Sequence, residues 1–128
     1  MGRFNIDEWS RRANSISDQV DAACKRRSGP DSETHVVFSA YQGEYPETEQ
    51  LGKVPIKGRV RFVRAYDGWG NGRDYRSRVY KNPTWLQITT LANDMIVASG
   101  DLHHVFLEGV TVVGKSNGVT VCEFVMGS

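Results

Sequence analysis

The sequence predicts an α+β domain, and three observations carry that prediction. A capped apolar stripe over residues 5–29 has the spacing of an amphipathic helix. A second stretch, 84–99, repeats that spacing with caps of its own. Around the second stretch lie apolar runs bounded by turn residues, the last two joined at Asn117-Gly118, the dipeptide that most strongly marks a type I′ hairpin. The expected order is α-β-β-(β)-α-β-β. Both helices should pack on one antiparallel sheet of four to five strands.

Length and composition bound the reading. The 128 residues fit one domain of ordinary size, and no repeat, low-complexity tract or linker divides them, so 1–128 is read as a single domain. A net charge of +1 gives no global attraction to nucleic acid or to an anionic membrane, so any such contact needs a local patch. No apolar run approaches the roughly 18 residues of a membrane helix. The first residues are polar and charged, without the apolar core of a signal peptide. A soluble cytoplasmic protein with no membrane partner is the expectation. Cys24 and Cys122, outside any CxxC, read as buried free thiols.

In the first helix, Ile6, Trp9, Ala13, Ile16, Val20 and Ala23 recur at steps of three and four. Asn5 is a suitable N-cap, with Glu8 placed to close a capping box. Asp7 and Glu8 suit the positive end of the helix dipole, Lys25, Arg26 and Arg27 the negative end, and Gly29-Pro30 stops the helix.

Residues 34–42 read as a strand with apolar weight on both faces, and 43–55 as a long acidic loop. A second strand, 57–66, places Val60 and Phe62 on one face and Arg59, Arg61 and Val63 on the other. The glycines around Trp69 in 67–72 make an irregular turn, and 75–80 forms a short third strand in a hairpin with the second.

Over 84–99, Trp85, Ile88, Leu91, Ala92, Met95 and Ile96 share a helical stripe. Thr84 and Gln87 form a capping box, and Gly100 suits the residue after the last turn. The β-branched Ile88, Thr89, Thr90, Ile96 and Val97 argue for two strands turning at Asn93-Asp94, but both caps and the period favour the helix. Were the strand pair to form, the outcome would be one long helix on a curved sheet. That cone is similar in shape to the nuclear-transport-factor-like or cystatin-like class.

The closing hairpin pairs 102–113 with 119–126. The turn sets a register in which Ser116 faces Val119, Val113 faces Cys122, Thr111 faces Phe124 and Gly109 faces Met126. Both faces are then apolar. A sheet covered by helices on one side should show a polar second face, so this face is expected to meet another layer or a second subunit. Gly109, in mid-strand, marks a bulge or a close backbone approach.

Residues 100–109 hold the candidate chemistry. In a strand, adjacent His103 and His104 point to opposite faces, and His104 and Glu108 lie roughly 13 Å apart. No metal site is therefore expected, and no cofactor, since 68–72 lacks the lysine and the following helix of a nucleotide loop. His104 is the candidate acid–base residue, with Asp101 or Glu108 as its partner. His103, Tyr66, Trp69, Trp85 and Phe106 are the expected ligand-binding residues.

Arg59, Arg61, Arg76 and Arg78, interleaved with aromatics, form a candidate single-strand nucleic-acid surface. The small net charge and the lack of an RNP-type motif weigh against it. Three readings result. The first is a homodimeric binding or assembly domain with a small-molecule pocket near His104. The second is a hydrolase- or isomerase-like enzyme using His104, and the third is a weak nucleic-acid binder.

Overall fold

Asn5 starts the first helix as its sequence suggests. Its Oδ1 accepts from the N–H groups of Asp7 and Glu8, each at 3.0 Å, and α1 runs over Ile6–Ser28. Glu8 does not close the capping box; its carboxylate pairs with Arg11 and Arg12. The inner end of the stripe, Ile16, Val20, Ala23 and Cys24, is buried, and Ile6 is exposed. The computed structural model describes residues 3–65, 68 and 70–128.

The second helix, α2, forms over Trp85–Ser99 with both halves of its capping box present and Gly100 in the left-handed conformation at φ 72°. The strand pair, and with it the alternative cone, is excluded over these residues. Packing overrides the β-branched propensities, because Ile88, Thr89, Thr90 and Ile96 are all buried. The two threonine hydroxyls return to the helix backbone, Thr89 to the Trp85 carbonyl at 2.6 Å and Thr90 to that of Gln87 at 2.7 Å.

Five strands make one curled sheet: β1 (Val37–Phe38), β2 (Arg59–Arg64), β3 (Tyr75–Lys81), β4 (Phe106–Ser116) and β5 (Val119–Gly127). Their order is β1-β4-β5-β2-β3. The expectation of an antiparallel sheet holds only for the hairpins β2–β3 and β4–β5. The contacts β1–β4 and β2–β5 are parallel, so the sheet is mixed. The physical reason is the crossover: α2 carries the chain back along the sheet, and strands on either side of such a connection emerge in the same direction.

The expected strand 34–42 shrinks to Val37–Phe38 because side chains take its backbone groups. Asn93 of α2 is buried. Its Oδ1 accepts from the N–H groups of His35 (2.8 Å) and Val36 (3.2 Å), and its Nδ2 donates to the Glu33 carbonyl at 3.0 Å. Gln50, in a 3-10 turn at Thr48–Gly52 inside the expected loop, accepts from the Gln42 N–H and donates to the Ala40 carbonyl.

The hairpin turn holds, with Asn117 at φ 52° and Gly118 at φ 77°, and Ser116 faces Val119. Two register shifts then correct the remaining pairs. Beyond Val113, Val112 faces Cys122, Val110 faces Phe124 and Thr111 faces Glu123. Beyond Glu108, Leu107 faces Met126. Gly109 does sit at a bulge, and the unexpected bulge at Val113 exchanges the faces assigned to the middle of the strand.

The core lies between the sheet and the helices. Phe62 and Phe124 stack at 5.5 Å, and Trp85 meets Phe38 edge-on at 5.7 Å. Arg27, at the end of α1, bonds Asp94 of α2 at 2.6 Å and the Tyr80 hydroxyl of β3 at 3.2 Å, tying three elements together. Among the described residues no helix is long and apolar enough to cross a membrane.

Replacing Asn93 by Ala strips partners from two buried-side N–H groups and a carbonyl at once. The expected loss, from chemical denaturation, is about 2–4 kcal/mol. An unchanged midpoint would show that the 33–36 segment is not anchored through this side chain.

Candidate functional site

The candidate site is built on the C-terminal end of α2. The last turn of a helix leaves carbonyls without intrahelical partners. Here the loop after β2 supplies them: the Asn71 N–H donates to the Ser99 carbonyl at 2.7 Å, and the Asn71 side-chain amide to that of Ala98 at 2.6 Å. Gly70 makes this approach possible. A Cβ at that position would stand 2.1 Å from the Ser99 carbonyl oxygen. Gly70 and Asn71 thus form a helix clasp.

Asp101 follows the cap and is only 5% exposed. A carboxylate at the negative end of a helix is disfavoured by the dipole and, when buried, by desolvation. Local donors offset both. Oδ1 accepts from the His103 N–H at 2.9 Å, and Oδ2 lies 2.8 Å from Nδ1 of His104. Since a carboxylate only accepts, Nδ1 carries the proton of this bond, and in the neutral ring the lone pair sits on Nε2.

This geometry revises the reading of 100–109. The strand begins at Phe106, not at residue 102, so strand alternation does not separate the histidines. Residues 101–104 form a turn closed by the Asp101 side chain. His104 is partly buried and His103 exposed. Glu108 stands apart on β4, its carboxylate against Gly127, and no hydrogen bond among the described residues joins it to His104.

Of the expected ligand-binding residues, Phe106 and Trp85 line different clefts, and His103 is exposed. Phe106 lines a cleft of about 190 Å³ with Trp9, Val37 and Tyr41, between α1 and the β1 edge. Trp85 lines a separate wedge of about 430 Å³ with Tyr41, Ile56, Glu108 and Val110. Tyr66 and Trp69 lie outside the described residues. Among the described residues no group of three or more His, Cys, Asp or Glu side chains is placed to hold a metal.

Arg59, Arg76 and Arg78 are exposed on the β2–β3 hairpin, while Arg61 donates to the Ser77 carbonyl at 3.0 Å. Their described aromatic neighbours turn away from solvent. Phe62 is fully buried, and Tyr75 and Tyr80 pack on the core, with burial pushing the Tyr75 phenol up to about 12. Of these rings only Phe62 is wholly withdrawn from solvent; Tyr75 and Tyr80 are half-buried.

One feature was only half legible in the sequence. Val112 and Val113 are 50% and 53% exposed; Phe106, Val37 and Val125 are also exposed, on the opposite side of the sheet from buried Leu107, Phe38 and Phe124, whereas Val112, paired with Cys122, shares the Phe124 side. The double-sided apolar pattern of the hairpin signalled it, but the Val113 bulge hid which residues would be involved.

Asp101→Ala should cost about 2–3 kcal/mol through loss of bonds to a charged acceptor. Imidazole ¹⁵N shifts should show His104 losing its preference for the Nδ1–H tautomer; retention of that tautomer in the variant would mean Asp101 does not set it. Compared with protein-family models, curated proteins and solved structures, the chain matches none.

Proposed function

We propose that the protein is an assembly domain that associates with a second copy of itself through the β4–β5 end of its sheet. One observation carries this reading: the consecutive valines Val112 and Val113 stand half exposed at the bulged part of the β4–β5 hairpin. Scattered apolar residues need no explanation, whereas contiguous ones mark interaction surfaces. A second copy is the occupant because antiparallel pairing of β4 with its own copy brings the end bearing Glu108 beside the end bearing Lys115, matching opposite charges. Sedimentation equilibrium at micromolar concentration should give twice the 14.3 kDa of one chain. Val112→Glu with Val113→Glu should return it to one chain without lowering the unfolding midpoint. A wild-type mass of one chain at all concentrations sinks the reading.

A second reading rests on a different observation, the 2.8 Å bond between His104 and buried Asp101. A carboxylate that orients an imidazole is the arrangement of a general base in hydrolase- or isomerase-like chemistry. If the domain turns over an activated acyl ester, His104→Gln should lower the rate by about 10²-fold or more. An unchanged rate removes His104 from any such reaction.

A further inference from the structure

We infer that the cleft between α1 and the outer edge of β1 binds a small neutral ligand, one aromatic ring carrying a carboxamide or an equivalent donor and acceptor side by side. The cleft lies apart from Val112 and Val113, and the inference does not rest on the assembly reading.

The backbone of β1 supplies the first argument. β1 is the end strand of the sheet. The N–H groups of Val37 and Ser39 donate to the carbonyls of Val105 and Leu107, at 2.9 and 2.8 Å. Alternation then turns both backbone groups of Phe38 away from β4. Along that outer side the flanking groups are taken by two side-chain amides. Asn93 accepts from the Val36 N–H, and Gln50 donates to the Ala40 carbonyl and accepts from the Gln42 N–H. Between them, no hydrogen bond among the described residues reaches the N–H or the carbonyl of Phe38. Phe38 is nonetheless buried. Buried backbone groups nearly always have a partner. Phe38 lines the cleft, and its ring packs edge-on against Trp85, which does not. What it presents to a ligand is therefore a backbone donor and acceptor.

The walls supply the second argument. Trp9, Tyr41 and Phe106 give the cleft aromatic sides, with Trp9 edge-on to Tyr41 at 6.2 Å. Rings favour further rings in offset or edge-on contact. The volume is about 190 Å³, and an apolar cavity of about 150 Å³ already takes benzene. One ring with one small substituent fills the space. No lining side chain is charged. A carboxylate or ammonium entering would lose hydration without meeting a counter-charge, so the ligand is neutral. The walls also stand ready before binding. Asn93 holds residues 33–36, Gln50 holds 40–42, and Pro46 is fully buried beneath the cleft's rim residues.

The probe is benzamide, titrated into the ¹⁵N-labelled full chain. Saturable shifts are expected at the Phe38 amide and the Trp9 indole N–H, with a Kd of roughly 1 mM for a molecule of this size. Acetophenone keeps the ring and the acceptor but lacks the donor, and should bind roughly fivefold more weakly. Benzoate should leave both signals in place. Ala13→Leu, which sets a larger side chain on the α1 wall, should weaken benzamide binding by roughly tenfold with the unfolding midpoint retained. Ser17→Leu, at an exposed position on the same wall, is the second blocking variant. Absence of a saturable shift at Phe38, or benzoate binding as tightly as benzamide, would overturn the site. Equal affinity for acetophenone would overturn the role of the Phe38 carbonyl.

Discussion

The burial of α2 is the constraint on which the rest of the fold depends. Ile88, Leu91, Ala92, Met95 and Ile96 are almost wholly removed from water, together with Thr89, Thr90 and Asn93. A helix buried on so much of its circumference needs a layer on each side. The sheet provides one and α1 the other. The polar groups taken inside each have a partner: both threonine hydroxyls bond back to the helix, and Asn93 holds the backbone of residues 33–36. That last contact shortens β1, since N–H groups accepted by Asn93 cannot also join a ladder.

The same constraint decides how much of the fold was legible in the sequence. Both helices were, because caps and apolar period are local signals. So were the two hairpins, because each joins strands adjacent in sequence, and the Asn117-Gly118 turn carries its own chemistry. The parallel contacts were not. β2 meets β5 and β1 meets β4 only after α2 has crossed the sheet, and no residue pattern near a strand records which distant strand will lie beside it. Bulges are similarly silent. Gly109 gave a hint of one, whereas Val113 in a run of valines gave none, and that residue exchanges the faces of half a strand.

At the candidate site strand alternation does not hold, because residues 101–104 precede the strand. Asp101 behaves as turn-forming aspartates do, bonding an N–H two residues on, and this holds 101–104 out of the ladder. The pairing of His104 with Asp101 was available from the sequence as a turn signal. The role of Gly70 and Asn71 in capping the same helix end was not, because a clasp over nearly thirty residues of sequence has no local signature.

These features place chemistry and assembly at different parts of one segment. Residues 100–105 are governed by the helix end: carbonyls capped by Asn71, and a buried carboxylate balanced by a histidine. Residues 108–116 are governed by a strand that outruns its neighbour. β1 stops after Phe38 while β4 continues to Ser116, so an apolar, proline-free stretch carries one unsatisfied side. Natural sheets blunt such edges with charge or proline or an unmatched bulge. β4 has its two charges only at the ends of this stretch, no proline, and bulges at Glu108 and Val113. The charges and bulges at both ends of the stretch thus defend the edge against unrelated strands.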